Sequence, residues 1–331
     1  MNATRRPLII PPYIGEFGWE LMNWQGRVRR EIARSPAERI VLGAPPDRHL
    51  LYANGCPAAH GDARLLFCPA SIDDLPGAPN EDHRIRPDGS RFDPGELGEV
   101  VRLRTSDACR RYGIDVAGAE WLQPDYRGHV WAARSPAQQF QSLRRNERVS
   151  IDVVLVPRRR DVAAERNASD QWWAELARRL ASIGLTVETY EGPLDRAIGL
   201  LSRARLAAGA STGGLHLACL CRCPHYVWGC GAERRWTGLG ITNRQRYETL
   251  WNPLGTPCVY DECGWRPDMA HVIAGIRGAL ETIGLSAGAL RQHRWRARWH
   301  VRRQLTRCLA PARGRFAWPW RLQQLVRERL V

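Results

Sequence analysis

Residues 204–221, with the sequence ARLAAGASTGGLHLACLC, carry the most specific pattern in the chain. Residues 204–209 predict a short strand, 210–214 a turn of small and hydroxyl residues, and 215–221 a helix. A glycine-rich turn at a helix start presents backbone amides to an anion. The stretch therefore predicts a phosphate cradle. Its candidate residues are Ser211, Thr212, Gly213, Gly214 and, in the first helical turn, His216, for which a packed core histidine is the alternative.

The sequence on both sides of this unit alternates between strand and helix patterns. In the second half, strands are predicted at 150–156, 185–190 and 224–228, with helices at 169–183 and 194–202. In the first half, strands are predicted at 7–14, 39–42 and 65–68, with a helix through Leu21, Trp24, Val28 and Ile32. Such alternation favours parallel βαβ units, and the pattern starts twice, near residues 8 and 150.

The predicted fold class is therefore α/β, with two doubly wound Rossmann-like domains facing a cleft and a C-terminal helical extension. We expect an N-terminal α/β domain at 1–145, a C-terminal α/β domain at 146–285 and a basic amphipathic C-terminal helical tail at 286–331. Residues 70–95 are rich in Pro, Gly and Asp and predict a surface excursion. The polar, poorly periodic residues 119–148 are the candidate linker.

A second candidate constellation lies at the predicted strand-to-helix turn of the first half. Gly15 and Gly18 allow the backbone to approach a ligand, and Glu16 and Glu20 lie at the carboxyl edge of a strand, where open α/β sheets bind ligands. Helix capping by the carboxylates is the equally weighted alternative. We interpret the two acids, flanked by Trp19 and Trp24, as candidate catalytic residues.

A third constellation follows the strand at 150–156. Arg158 and Arg160, with Asn167 beyond them, leave the end of this strand in positions suited to hold a phosphate or pyrophosphate. A solvated loop in an Arg-rich protein is the alternative. Arg246, Tyr247 and Glu248 are further candidates for the lining of the ligand site, with a surface loop as the equally weighted alternative.

Composition limits the function classes. The 331 residues are 44% hydrophobic, which excludes wholesale disorder, and no apolar run approaches the ~20 residues that span a bilayer. We expect a cytoplasmic protein, without a signal peptide and with its 10 cysteines reduced. The alternate spacing of Cys219, Cys221 and Cys223 is not a zinc-ligand pattern. No metal site and no cofactor are therefore predicted.

The net charge of +15 is concentrated at the C-terminus, since Arg291 to Val331 contain 12 Arg and a single acid. Trp295 and Trp299 share a helix face, which is typical of a helix lying in an anionic membrane surface. A helix packing back on the first domain and RNA binding are the alternatives. We expect membrane binding on the inner face of the cytoplasmic membrane and no nucleic acid.

The segment STGGLHLA at 211–218, followed by Cys223-Pro224 and an apolar strand ending in Trp228-Gly229, resembles the nucleotide-sugar half of GT-B glycosyltransferases. It is similar to the Thr-Gly-x-x-His-x-Ala segment of family-nine heptosyltransferases, whose first βα turn resembles Gly15 to Glu20. The Arg cluster with Asn167 is closer to family-61 and fucosyltransferase-like enzymes. The resemblance covers 150–260 well and 8–32 moderately.

This resemblance implies metal-independent transfer of a sugar from a nucleotide-sugar to a glycan or lipid-linked acceptor in cell-surface polysaccharide assembly. Arg158, Arg160 and the 211–214 amides would neutralise the leaving nucleoside diphosphate, with His216 as a further contributor, and Glu16 or Glu20 would act as general base. On this resemblance, the 1–145 domain would lie on the acceptor side and the 146–285 domain would bind the nucleotide-sugar. A sugar-nucleotide epimerase, a polysaccharide pyruvyl transferase and a non-enzymatic basic membrane- or nucleic-acid-binding adaptor stay open as alternatives.

Overall fold

The computed structural model describes residues 6–52, 64–70, 93–122, 137–160, 163–230 and 241–284. Met1–Leu280 form one compact unit that contains two parallel sheets. The predicted surface excursion lies mostly, and the basic tail wholly, outside the described residues. Within the described ranges, no helix has the length and apolarity that crossing a bilayer requires.

The first sheet has four parallel strands in the order β3-β2-β1-β4. The strands are β1 (Leu8–Ile10), β2 (Ile40–Ala44), β3 (Leu65–Pro69) and β4 (Glu120–Trp121). The helices in this part of the chain are α1 (Phe17–Trp19), α2 (Gln25–Arg34) and α3 (Pro94–Arg111), and a π-helical turn at Glu20–Trp24 joins α1 to α2. A 3₁₀ turn at Arg48–Leu51 follows β2.

The second sheet has five parallel strands in the order β6-β5-β7-β8-β9. The strands are β5 (Ile151–Leu155), β6 (Val187–Thr189), β7 (Ala204–Ala210), β8 (His225–Trp228) and β9 (Cys258–Asp261). The helices are α4 (Asp170–Ser182), α5 (Leu194–Arg203), α6 (Gly213–Leu220), α7 (Asn243–Gln245) and α8 (Met269–Gly284). Short turns at Ala164–Arg166 (3₁₀) and Arg246–Leu250 (π-helical) complete this part.

The helix boundaries follow the chemistry of their ends. Ser169 caps α4 by accepting from the amide of Trp172, and Gly184 follows its C-terminus with a φ of 88°. The α4 face of Trp173, Leu176 and Leu180 is buried, as the periodicity predicts. The prediction of a mixed α/β fold with parallel sheets is thus confirmed.

Three elements depart from the sequence prediction. Residues 120–121, inside the candidate linker, pair with β1 as the fourth strand of the first sheet. A two-residue strand has too short a pattern to be recognised by alternation. The long helix α3 and the edge strand β9 were not predicted, and neither shows a strong apolar stripe. The boundaries of the three predicted domains stay a prediction.

In each sheet the order of the strands reverses at one point, and these two switch points determine where the site lies. In the first sheet the order turns between β1 and β4, and in the second between β5 and β7. Ligands of open α/β sheets bind outside the carboxyl ends of the strands at such switch points. The three candidate constellations follow β1, β5 and β7, so each lies at a switch point.

Candidate functional site

A cleft of about 870 Å³ brings the candidate constellations together. Residues after β1 form one wall, and residues after β5 and β7 form the other. The predicted site residues that line it are Gly15, Glu16, Gly18, Glu20, Arg158, Arg160, Ser211, Thr212, Gly213, Gly214 and His216. Asn167 and the further candidates Tyr247 and Glu248 do not line it, whereas Arg246 does.

Glu16 is the best-placed carboxylate of the first wall. It stands at the start of α1, where its carbonyl accepts from the amide of Trp19 at 2.9 Å, but its side chain makes no capping hydrogen bond. The carboxylate instead contacts the guanidinium of Arg160 on the opposite wall, with 2.9 Å between Oε1 and Nη2. Its alternative role as a helix cap is therefore not the one that the structure shows.

Glu20 lies in a different environment, although it also lines the cleft. Its side chain is 6% exposed and is bound by Arg48 at 2.6 Å and by the hydroxyl of Tyr52 at 3.3 Å. Burial raises the pKa of Glu20 above its ordinary value, and Arg48 offsets this only in part. Both carboxylate oxygens are thus engaged by the first half of the chain, which favours a positioning role for Glu20.

The three consecutive arginines after β5 point in three directions. Arg158 is buried and donates to the carbonyl of Ala163 at 3.0 Å and to the side chain of Asn167. Arg159 is half-exposed and pairs with Asp170. Arg160 reaches across the cleft to Glu16. Both arginines predicted to hold phosphate line the cleft, but Arg158 is held by its own loop, while Arg160 extends to the opposite wall.

Asn167 supports the same loop from behind. Its amide donates to the carbonyl of Arg160 at 2.7 Å, and its oxygen accepts from Arg158. The side chain is therefore engaged by the arginine loop, with no face on the cleft. Spacing alone placed Asn167 near the arginines but could not show on which side of the loop it lies.

The start of α6 supplies the second half of the opposite wall. The amide of Ser211 donates to the carbonyl of Trp228 at 3.0 Å, and the amide of Thr212 donates to the hydroxyl of Tyr247 at 3.0 Å. Gly213 and Gly214 then open the helix, so their amides lie ahead of any intrahelical acceptor. The part of the predicted cradle that suits an anion is thus this pair of glycines.

His216 is neutral and nearly enclosed. Its ring is stacked on Tyr247, with centroids 4.4 Å apart, and meets the edge of Trp251 at 4.8 Å. Burial, with smaller contributions from Arg246 and His225, holds the pKa of His216 well below its ordinary value. Nδ1 is buried without a hydrogen-bond partner among the described residues. The imidazole can therefore orient a ligand as a neutral group, but it brings no positive charge.

Arg48 and Arg246 are further cations of the cleft lining. Arg246 is 7% exposed and donates to the hydroxyl of Ser211, beside the start of α6. Arg48, which the sequence prediction missed, follows β2 and lies over the ring of Phe17 at 4.2 Å. Arg48 follows a strand of a parallel sheet, and this position is the sequence feature that could have predicted its place in the site. Glu248, the neighbour of Tyr247, does not line the cleft.

Two glycines of the cleft differ in the space around their Cα atoms, which gives a test by two alanine substitutions. A Cβ at Gly18 would meet His216 at an ordinary 3.5 Å, whereas a Cβ at Gly214 would lie 2.7 Å from Cγ1 of Val156. We expect Gly18→Ala to leave the melting temperature nearly unchanged. Gly214→Ala should destabilise by about 1–3 kcal/mol through overpacking. Thermal unfolding followed by circular dichroism measures both. Equal losses in the two variants would contradict the described contact of α6 with Val156.

The three closely spaced cysteines of the second half are buried. The thiol of Cys219 donates to Asn252, and burial raises the pKa of both Cys219 and Cys223 to about 12. Protonated, enclosed thiols are poor metal ligands and poor nucleophiles. The alternate spacing of these cysteines therefore reflects the packing of α6 and of the turn that follows it.

No family model and no curated protein matches the chain. Among solved structures, it is similar to a family 9 glycosyl transferase from Veillonella parvula, with 9% identity over 85% of this chain and 99% of that chain and a TM-score of 0.45. The E. coli ADP-heptose LPS heptosyltransferase II gives 13% identity over 84% and 99%, with a TM-score of 0.45. The E. coli heptosyltransferase WaaC with ADP gives 12% over 83% and 99%, with a TM-score of 0.42.

The similarity to family-nine glycosyltransferases that the sequence motifs indicate is thus also found among solved structures. All three TM-scores lie below 0.5, so the function proposed below depends on the residues of the cleft.

Proposed function

We propose that this protein is a glycosyltransferase with the GT-B arrangement of two Rossmann-like domains facing a cleft, and that it moves a sugar from a nucleotide-sugar to an acceptor hydroxyl. One observation carries the proposal. A part-exposed carboxylate, Glu16, faces a cationic wall that combines Arg160, Arg246 and the first amides of α6. Glycosyl transfer needs a base on one side of the reacting carbon and a sink for anionic charge on the other.

The donor diphosphate would bind the second wall. The amides of Gly213 and Gly214 offer hydrogen bonds at the positive end of α6, and Arg160 offers a planar fork suited to phosphate oxygens. A diphosphate competes with Glu16 for this guanidinium, since both are anions. Donor binding would therefore release the carboxylate of Glu16 for its role as base.

The transfer step follows from this arrangement. Glu16 takes the proton of the acceptor hydroxyl as its oxygen forms a bond to the anomeric carbon of the sugar. The bond from that carbon to the diphosphate oxygen breaks, and its electron pair stays on the leaving nucleoside diphosphate. Arg160, Arg246 and the α6 amides stabilise that charge. These protein groups supply the positive charge, so the proposed step needs no catalytic metal and no cofactor.

The acceptor and the cellular setting extend the proposal. A glycan or lipid-linked acceptor in cell-surface polysaccharide assembly fits a cytoplasmic enzyme whose basic tail binds an anionic membrane surface. The neighbouring heptosyltransferases include enzymes that are named for ADP-heptose and LPS. We propose a nucleotide-sugar of this general class as the donor. We also propose that residues 291–331 attach the protein to the membrane.

Thermal shift with nucleoside diphosphates and nucleotide-sugars tests the proposal on the full chain. A ligand that binds only the folded protein at 100 times its Kd stabilises it by about 2.7 kcal/mol. We expect at least one nucleoside diphosphate to raise the melting temperature, and inorganic phosphate at equal concentration to have a smaller effect. No shift with any member of the panel would contradict the proposal.

Product analysis separates the competing enzyme classes. Incubation of the stabilising nucleotide-sugar with candidate acceptors should release nucleoside diphosphate and give a product heavier by one glycosyl residue. An epimerase would instead return an isomeric nucleotide-sugar, and a pyruvyl transferase would leave the nucleotide-sugar intact. A non-enzymatic adaptor would bind membrane or nucleic acid through its tail and give none of these products.

A further inference from the structure

Three side chains with metal-binding donor atoms converge at the edge of the second sheet. Asp261 ends β9, Cys263 lies in the following loop, and His271 lies in the first turn of α8. One donor atom from each residue lies within 4.8 Å of the other two. All three side chains lie outside the lining of the cleft.

Two contacts already direct the other side chains at Asp261. His271 Nε2 lies 2.8 Å from Asp261 Oδ2, and the thiol of Cys263 hydrogen-bonds to the same carboxylate. The side chain of His271 is 53% exposed, so its ring can adjust without disturbing the core. In a tetrahedral zinc site, metal–ligand distances of about 2.0–2.3 Å place donor atoms roughly 3.3–3.7 Å apart. The three donor atoms can therefore reach binding distance of one zinc ion with only small side-chain movements.

A buried hydroxyl orients the carboxylate. Tyr226 on β8 is 1% exposed and donates to Asp261 Oδ2 at 2.6 Å. Metal-binding carboxylates are commonly held in this way by an outer hydrogen bond, which fixes the direction of the ligand. The neighbouring backbone is also fixed, since the amide of Gly229 donates to the carbonyl of Asp261 at 3.1 Å.

We propose that Asp261, Cys263 and His271 bind one Zn²⁺ ion, with water in the fourth position. Thiolate, imidazole and carboxylate together match the ligand preferences of zinc rather than those of Mg²⁺ or Ca²⁺. This is a site that the cysteine spacing did not reveal, because its ligands come from a strand end, a loop and a helix. The proposal is independent of the glycosyltransferase reaction.

The ion would act as a cross-link. It would join the end of β9 to the start of α8 and fix the loop between them. That loop carries Trp265, which lies 4.5 Å from the guanidinium of Arg166 at the border of the cleft. Zinc binding would therefore stabilise the folded protein and hold Trp265 in place.

Cobalt substitution tests the site, because Co²⁺ bound to a thiolate gives a charge-transfer band that Co²⁺ bound to oxygen and nitrogen lacks. The full chain is treated with EDTA, dialysed and titrated with Co²⁺ and then Zn²⁺. We expect one equivalent of Co²⁺ to bind with the thiolate band, and Zn²⁺ to displace it and raise the melting temperature. Cys263→Ala should abolish the band, and His271→Ala should abolish stoichiometric binding.

Two further variants sharpen the result. Tyr226→Phe keeps the ring but removes the outer hydrogen bond, so we expect metal affinity to fall about 10- to 100-fold. Cys258→Ala removes a thiol of the same strand outside the cluster and should leave the band intact. Circular dichroism confirms that each variant is folded. Absence of stoichiometric Co²⁺ binding, or a thiolate band that persists in folded Cys263→Ala, would overturn the proposal.

Discussion

Replacing Glu16 by Gln is expected to lower kcat by about 10²- to 10⁴-fold, the contribution of a positioned general base. Gln has nearly the same shape as Glu but cannot accept the proton of the acceptor hydroxyl. It also leaves Arg160 without its anionic partner, so the donor should bind at least as tightly as in the wild type. Steady-state kinetics with a saturating donor and a titration of donor binding measure the two effects separately.

The control for this prediction is Glu31→Gln. The Glu31 side chain is 32% exposed and paired with an arginine, much as Glu16 is 31% exposed and paired with Arg160, but it lies on α2 outside the cleft lining. We expect the control to keep wild-type kcat. If Glu16→Gln lowers kcat less than tenfold while Glu20→Gln abolishes turnover without unfolding, Glu20 is the base and the assignment of Glu16 is wrong.

Replacing Arg160 by Ala is expected to raise the donor KM by about 10- to 150-fold. A hydrogen bond to a charged group contributes about 1.5–3 kcal/mol, and the variant removes the guanidinium that we assign to the diphosphate. Arg160→Lys keeps the charge but loses the planar fork, so it should recover only part of the affinity. Donor titration by calorimetry measures the loss directly.

Arg205 provides the control for Arg160. It is paired with Asp152 on the surface of the second sheet and lies outside the cleft lining. Arg205→Ala removes the same charge from the protein but should leave the donor KM unchanged. An equal loss in both variants would mean that overall charge, rather than a contact with the diphosphate, determines donor binding.

The sequence predicted which segments meet, because that depends on a general property of parallel sheets. Each constellation follows a strand, and the carboxyl ends of parallel strands share one edge. The sequence pattern alone therefore groups Glu16, Arg160 and Gly213. Strong apolar runs such as β5 and β7 made the strands themselves recognisable.

The directions of the side chains could not be predicted in the same way. Three adjacent arginines have identical chemistry, and only the loop around Asn167 determines that Arg160 reaches Glu16 while Arg158 is held within the loop. The neutral state of His216 likewise depends on burial by distant aromatic residues, Tyr247 and Trp251. Such long-range packing leaves no periodic signal in the sequence.

The π-helical turn after α1 has a consequence for attempts to make this protein more stable. The amide of Gln25 donates to the carbonyl of Glu20, five residues earlier, whereas a regular α-helical bond reaches back four residues. The turn therefore holds one extra residue between the cleft and the buried face of α2. Deleting a residue to restore regular winding would improve local hydrogen bonding. It would also rotate Glu16 and Glu20 by about 100° relative to Trp24 and the core below it. Thermostable variants selected at this turn should accordingly be inactive.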